Sequence, residues 1–153
     1  MDQPARFRPA EEEDLPAIVR LLATDPLGAT RESATEDLPE AYRVAFAAIQ
    51  AQAGNEVLVA EQDGQVVGCL QLTIIPGLAR RGMTRGQIEA VRIDERLRGQ
   101  GLGEALFVHA IERAKAAGCG LVQLTTDKSR PDAHRFYERL GFVASHEGMK
   151  LVF

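Results

Sequence analysis

The chain has 153 residues, of which 45% are hydrophobic and 26% charged, and its formal net charge is −4. These values are typical of one soluble globular domain with a real core, so a single domain is expected over residues 1–153. They argue against broad nucleic-acid binding, which needs a basic face. No apolar run approaches the roughly 18 residues of a membrane span, and the start of the chain lacks a signal-like apolar segment, which predicts a cytoplasmic protein without a membrane partner.

Four segments make up the first third of the chain. Residues 5–10 form a short candidate strand. Residues 11–23 are predicted as a helix because acids stand at its start, at the positive end of the helix dipole, and its apolar residues follow helical spacing. Residues 24–39 form a loop or broken helix, and residues 40–52 a second helix. The breakers of the loop are Pro26, Gly28 and Pro39.

The apolar pattern then changes from a helical period to that of strands. Residues 56–75 contain two strand-like runs around Asp63–Gly64, a pair typical of a tight hairpin. A loop over residues 76–86 follows, with three arginines between Arg80 and Arg85. This arginine loop is either a solvated surface or a region that attracts an acidic substrate or partner.

The next strand, residues 87–94, has a broken alternation. Ile88 and Ala90 have one parity, whereas Val91 and Ile93 have the other. A β-bulge near Ala90 and Val91 would put all four on compatible faces and leave backbone groups unpaired.

Three glycines at alternate positions, Gly99, Gly101 and Gly103, run directly into an amphipathic helix that Gly118 ends. A nucleotide P-loop is excluded because Glu104 follows the last glycine where that motif needs lysine. A dinucleotide fingerprint is excluded because Glu104 also stands at its third glycine position.

Two interpretations of the glycine stretch remain. One is a plain turn between strand and helix. The other is a helix N-terminus whose bare backbone N–H groups hold pyrophosphate, with Arg96 and Arg98 adding positive charge. Three glycines and two arginines favour anion binding.

The last third alternates between strand and helix. Residues 121–126 have the continuous apolar start of a central strand. Residues 131–140 form a short helix between Pro131 and Gly141, and residues 142–145 and 149–153 are predicted closing strands. The fold class is therefore α/β or α+β, with helices on both faces of one sheet.

Two segments together resemble the GCN5-related N-acetyltransferases, the GNAT superfamily. Residues Arg98–Gly103 are similar to the R-x-x-G-x-G/A motif of that family, and residues Ala133–Phe142 to its A-x-x-F/L-Y-x-x-x-G-F segment. The resemblance is good over residues 55–153 and holds in outline before them. It implies a mixed, mostly antiparallel sheet with a bulged fourth strand that splays from the fifth.

The resemblance also implies the ligands and the cofactor site. Acetyl-CoA would be the cosubstrate, without a metal, and an amine the acceptor. A homodimer is possible because dimers are common in the family. The implied acetyl-CoA-binding residues are Val91, Arg92, Ile93, Arg98, Gly99, Gln100, Gly101, Leu102, Gly103, Arg130, Ala133 and Phe136. Of these, Arg130 stands where many members have asparagine, so it or Ser129 would contact the cofactor phosphates instead.

Acetyl transfer from a thioester needs a neutral amine, an oxyanion donor and an acid for the thiolate. Glu89, a carboxylate inside an apolar strand, is the candidate base. The resemblance makes the N–H of Val91 the oxyanion donor and Tyr137 the acid. The alternatives are a salt-bridged Glu89 and a half-buried structural Tyr137.

The remaining reactive side chains show no site of their own. Cys69 and Cys119 are expected to be free thiols rather than a disulfide, and neither stands where an acyl-enzyme would form, so direct transfer is expected. The histidines have no metal-ligand spacing and are expected at the surface or in a turn. They are His109, His134 and His146.

Sequence leaves the acceptor open. The acceptor pocket is expected from residues Thr24–Tyr42 and Arg80–Gln87, the least family-like parts. A small-molecule amine is the first choice. The alternatives are a protein N-terminus or lysine, and a regulator that binds acyl-CoA without catalysis.

Overall fold

The structure is a computed structural model that describes residues 3–25, 27–35 and 37–153. It divides into two compact units, Met1–Gln123 and Leu124–Phe153. The first unit holds the sheet and most of the helices, and the second holds one helix. The expectation of a single domain stays a prediction. Pro26, one of the predicted loop breakers, lies outside the described residues.

The sheet of the first unit has five strands in the order β1-β2-β3-β4-β5. All neighbours are antiparallel except β4 and β5, which are parallel. The predicted mixed, mostly antiparallel sheet is therefore confirmed. The strands are β1 (Arg6–Pro9), β2 (Asn55–Gln62), β3 (Gln65–Ile75), β4 (Arg85–Ile93) and β5 (Leu121–Gln123).

The helices follow the predicted order. Two 3₁₀ turns, Glu12–Asp14 and Glu95–Leu97, precede α1 and the glycine stretch. The α4 turn contains two residues in left-handed conformation, Arg80 and Arg81. The helices are α1 (Leu15–Leu22), α2 (Gly28–Arg31), α3 (Glu40–Ala51), α4 (Ala79–Gly82), α5 (Leu102–Ala116) and, in the second unit, α6 (Pro131–Arg139).

Helices cover both faces of the sheet, as the sequence predicts. Cys69 on β3 packs in one cluster with α1 and with Phe46 of α3. On the other face, the side chains of Ala114 on α5 and Leu72 on β3 approach Gly86. The central strands are therefore buried on both sides. The largest fully buried side chains of the strands and helices are Val19, Leu58, Val59, Cys69, Leu70, Leu72, Ile88, Leu106 and Phe107.

The β2–β3 hairpin turns at the predicted dipeptide. Asp63 and Gly64 have φ of 51° and 75°. Positive φ at both central residues is the geometry of a type I′ turn, which matches the twist of the two strands.

The predicted closing strands are wrong. Residues 142–145 and 149–153 have no regular secondary structure. Val143, Leu151 and Phe153 are at least 81% exposed. A β-forming composition becomes a strand only when a neighbouring strand takes up its backbone hydrogen bonds, and no ladder is formed along these residues. The predicted strand over 121–126 likewise stops at Gln123.

A partly buried guanidinium links the beginning of the chain to the sheet. Arg8 Nη1 donates to Asp14 Oδ2 at 2.7 Å, and Arg8 Nε donates to Glu61 Oε2 at 2.9 Å. The side chain thereby joins β1 to the turn before α1 and to β2. Hydrogen bonding to Arg8 lowers the pKa of Asp14 and of Glu61.

We expect Arg8→Met to lower the free energy of unfolding at pH 7 by about 1–3 kcal/mol, the range for hydrogen bonds to a charged group such as Asp14. Carboxyl groups with lowered pKa stabilise the fold above their unfolded pKa, and this contribution is lost as the pH falls through the folded pKa. The deficit of the variant should therefore shrink between pH 7 and about pH 3. Urea unfolding at both pH values measures it.

Arg6→Met is the matched control. Arg6 is 71% exposed and pairs with the same Glu61, at 3.0 Å. An exposed pair of this kind contributes about 0–1 kcal/mol, so the control should unfold almost as the wild type does. An equal deficit of Arg8→Met at both pH values would show that Arg8 acts through packing alone.

Candidate active site

The bulge predicted in β4 is present and defines the site. Cys69 pairs with Arg92 and Gln71 pairs with Glu89, so Leu70 alone faces Ala90 and Val91. Ala90 has φ of 55°. A left-handed alanine costs roughly 1–2 kcal/mol, and such strain occurs preferentially at functional sites.

From Ile88 onward, which includes the bulge, one edge of β4 is open. Strand β5 pairs with β4 only from Arg85 to Gln87. Within the described residues, positions 88–93 of β4 pair with β3 alone. An extended ligand can add to such an edge through main-chain hydrogen bonds. Val91 and Ile93, two of the residues that the resemblance implies for acetyl-CoA binding, lie on this segment and are partly buried.

Glu89 lies directly before the bulge, on the sheet face that carries α1 and α3. Gly86 and Ile88 are buried on the opposite face, whereas Gln87 and Glu89 are more accessible. Cross-strand pairing sets Glu89 beside Gln71. Among the described residues, no hydrogen bond or ion pair uses the Glu89 carboxylate, so it is available to a ligand.

Arg92 has a different environment from the one that sequence suggested. Its Nε lies 2.8 Å from Asp25 Oδ2, and its Nη1 donates to the Val91 carbonyl at 2.8 Å. Asp25 Oδ1 also accepts from Gly28 N at 2.5 Å. The guanidinium therefore fixes the loop after α1 to the bulged strand. Contact of the Arg92 backbone with a cofactor stays a prediction.

The glycine stretch forms an open loop at the start of α5. Gly99 and Gly101 have φ of 78° and 83°, conformations that favour glycine. A Cβ at either position would meet no atom within 4 Å. No hydrogen bond described for the chain uses the backbone N–H groups of residues 99–103. These groups form the anion-binding arrangement typical of a helix N-terminus.

The two arginines of this region have different roles. Arg96 is held by Asp94, with Nη2 to Oδ2 at 2.6 Å and Nε to Oδ1 at 3.0 Å. Hydrogen bonding to Arg96 lowers the pKa of Asp94, so this pair is charged and self-compensating. Arg98 is exposed and makes no ion pair with any described carboxylate. Of the two, Arg98 is the one whose charge is left for a phosphate.

Two cavities lie beside the bulged strand and the glycine loop. One has a volume of about 300 Å³ and is lined by β1 and the glycine loop, including Phe7, Gln100 and Gly101. The other has a volume of about 110 Å³ and lies between α1, α3 and the sheet. It reaches Gln71 and Ala90 at the bulge.

The second unit holds the remaining predicted site residues. Tyr137 is half-buried on α6, and its ring packs edge-to-face on Phe136 and Phe142, with centroids 5.5 and 6.0 Å apart. Arg130 precedes the first residue of α6. The roles of these residues and of Ala133 stay predictions.

The cysteines are free, as expected, but one histidine lies elsewhere than predicted. Cys69 is buried and Cys119 partly buried. His109, expected at the surface, is half-buried with its ring 5.2 Å from that of Phe7, because α5 turns this side towards β1. Burial, and then Arg113, lower the pKa of His109.

Two features are absent from the part of the chain that the structure describes. No group of three or more histidine, cysteine, aspartate or glutamate side chains is placed there to hold a metal ion. No helix there is long and apolar enough to cross a membrane.

Sequence reasoning missed Asp25 and the cavity beside the bulge. Asp25 lies in the expected acceptor region, but nothing in the sequence marks it as the partner of Arg92. The cavity walls were visible only as the apolar stripes of two helices.

Comparisons with known proteins agree on the family. The model of the acetyltransferase (GNAT) family matches residues 16–142. The glucosamine 6-phosphate N-acetyltransferase of Trypanosoma brucei brucei is 34% identical over 146 residues, 95% of this chain and 93% of that protein. The aminoalkylphosphonate N-acetyltransferase of Salmonella typhimurium is 36% identical over 107 residues, 70% and 69% of the two chains.

A solved structure agrees on the fold. A protein from Bacillus halodurans C-125, described as a transcriptional regulator, has a TM-score of 0.95 and 50% identity. The match covers 97% of this chain and 99% of that one. From its bulged strand, its glycine loop and these matches, the chain belongs to the GNAT family of acetyltransferases.

Proposed function

We propose that the protein transfers the acetyl group of acetyl-CoA directly to the amine of a small molecule. The observation that carries the proposal is the open, bulged edge of β4 together with the N–H groups of residues 99–103, which no hydrogen bond among the described residues uses. One element suits an extended amide-containing arm, and the other suits a pyrophosphate. The family uses acetyl-CoA as its cosubstrate, and these residues fit it.

In this proposal, different parts of the protein bind the pyrophosphate, the pantetheine arm and the thioester carbonyl of acetyl-CoA. The pyrophosphate accepts hydrogen bonds from the glycine loop and is neutralised in part by Arg98. The pantetheine arm pairs with the backbone of Val91 and Ile93 as an added strand. The thioester carbonyl then lies at the bulge, where the Val91 N–H stabilises the oxyanion that forms.

The acceptor amine attacks in a complex that holds both substrates. Glu89 takes the proton from the ammonium or the attacking amine, directly or through water. Tyr137 donates to the departing thiolate. A covalent acyl-enzyme is disfavoured because burial raises the pKa of Cys69 to about 12, which keeps this thiol at the bulge unreactive.

A small-molecule acceptor is supported by the relatives, which are named for acetylating glucosamine 6-phosphate and aminoalkylphosphonate. A second candidate, a regulator that binds acyl-CoA without turnover, is favoured by the description of the Bacillus halodurans protein. Amine-dependent release of the CoA thiol separates the two. We expect release with at least one amine of a panel that also includes lysine and N-terminal peptides. Binding of acetyl-CoA without release of the CoA thiol in the presence of any acceptor of the panel would contradict the proposal.

The glycine loop can be tested by Gly101→Val. A branched side chain would project where phosphate oxygens approach and should weaken acetyl-CoA binding about 10- to 100-fold, the equivalent of about one hydrogen bond to a charged group. Isothermal titration measures the affinity.

Gly118→Val is the matched control, since Gly118 has φ of 85° at the other end of α5 and a Cβ there also meets no atom within 4 Å. Both variants carry the same kind of backbone strain, but only the first should lose affinity. Equal acetyl-CoA affinity of the two variants would remove the pyrophosphate site from residues 99–103.

Glu89→Gln tests the base. We expect kcat/KM to fall roughly 100-fold near neutral pH, and by much less at high pH, where free amine is already abundant. A pH–rate profile with a confirmed acceptor measures the difference. Glu13→Gln, at an exposed position on the turn before α1, should leave the profile unchanged. A loss for Glu89→Gln that is equal at every pH would mean that Glu89 binds or packs rather than takes the proton.

Tyr137→Phe tests the acid. The substitution removes one hydroxyl and keeps the ring that packs on Phe136 and Phe142. We expect kcat to fall roughly 10- to 1000-fold, with acetyl-CoA affinity and Tm nearly unchanged. Single-turnover kinetics isolates the chemical step. Turnover at the wild-type rate under these conditions would make Tyr137 a structural residue.

A further inference from the structure

We infer that the acceptor carries a hydrocarbon group of four or five carbons next to its amine, and that this group occupies the cavity between α1, α3 and the sheet. The inference rests on the proposed function and names the class of acceptor that the same site would take.

The chemistry of the cavity walls points to this class. Among the residues that the structure describes, the walls contain no lysine, arginine, aspartate or glutamate, and the one amide side chain is that of Gln71. Such a surface binds hydrocarbon and offers nothing to a phosphate or a carboxylate. The lining residues are Leu15, Ile18, Val19, Leu22, Tyr42, Ala45, Phe46, Ile49, Val57, Cys69, Leu70, Gln71 and Ala90.

The polar end of the cavity, at Gln71, is where the acceptor amine would have to lie to reach Glu89. Gln71 Nε2 donates to Asn55 Oδ1 at 2.9 Å, and Thr73 Oγ1 donates to the same oxygen at 3.1 Å. This network orients the Gln71 amide and leaves its Oε1 as an acceptor that no described group uses. Glu89 is the cross-strand neighbour of Gln71, with Cβ atoms about 5 Å apart.

An amine at this rim would therefore meet two acceptors, the Gln71 amide oxygen and the Glu89 carboxylate. Its hydrocarbon group would point away from them, under α1 and α3. The bulge, where the thioester is placed in the proposed function, forms the same rim through Ala90.

The volume sets the size of the group. A cavity of about 150 Å³ in another protein binds benzene, a six-carbon molecule. The cavity here, at about 110 Å³, scales to four or five carbons. Ala45 lines it although its side chain is exposed, so the cavity opens beside α3.

Linear primary amines from ethylamine to octylamine test the inference. We expect kcat/KM for thiol release to rise about fourfold with each methylene. The rise should end at about five carbons, where the cavity is full. The kcat/KM for pentylamine should exceed the values for 2-aminoethylphosphonate and glucosamine 6-phosphate. A kcat/KM that does not depend on chain length, or a preference for the two anionic amines, would overturn the inference while leaving acetyl transfer intact.

Ala45→Phe places a ring across the opening, and Ala48→Phe is the matched control, since Ala48 is also exposed on α3 but does not line the cavity. We expect only Ala45→Phe to raise KM for pentylamine, by about tenfold or more, which corresponds to two or more buried methylenes. The affinity of both variants for acetyl-CoA should not change.

A binding measurement does not depend on turnover. Titration with 1-pentanol should show binding to the wild type and to Ala48→Phe, but not to Ala45→Phe. If no amine supports thiol release, the proposed function fails, and this titration alone decides on the cavity. Equal pentanol binding by both variants, or by neither them nor the wild type, would overturn the inference.

Discussion

The candidate active site depends on one extra residue in one strand. Opposite Leu70 of β3, strand β4 places two residues, Ala90 and Val91. In a regular strand, positions three apart face opposite sides of the sheet. The bulge changes this, so the side chains of Glu89 and Arg92 both lie on the sheet face that carries α1 and α3. Their cross-strand partners on that face are Gln71 and Cys69. Ala90 adopts a left-handed backbone conformation in this bulge.

The same irregularity separates the two sites that we propose for acetyl-CoA and the acceptor. Strand β5 leaves β4 after Gln87, so among the described residues this edge of β4 has no strand partner from Ile88 onward and could pair with an extended cofactor. The cavity lies over the face of the sheet, below α1 and α3, and reaches the bulge at Ala90. The ion pair of Arg92 with Asp25 anchors the loop after α1 to the bulged strand. The direct transfer that we propose would need such an arrangement, with both substrates at one point of one strand.

Much of this site could be predicted because its signals are local. A broken alternation from Ile88 to Ile93 predicted the bulge, and three alternate glycines before an apolar stripe predicted the loop at α5. The Asp25–Arg92 pair could not be predicted, because its partners are distant in sequence and each is an ordinary charged residue by itself. The cavity depends on how two helices pack, which spacing does not determine. The closing strands were predicted from composition, but residues 142–153 form no ladder.

The most direct measurement of how the bulged strand and the glycine loop act together is amide hydrogen exchange with and without acetyl-CoA. Residues 88–93 of β4 and residues 99–104 at the start of α5 should exchange more slowly when acetyl-CoA is bound, because their free N–H groups then donate to the cofactor. Residues 6–9 and 58–61, already paired between β1 and β2, should not change. Saturating acetyl-CoA that leaves exchange at 88–93 and 99–104 unchanged would contradict the assignment of the cofactor to this strand and loop.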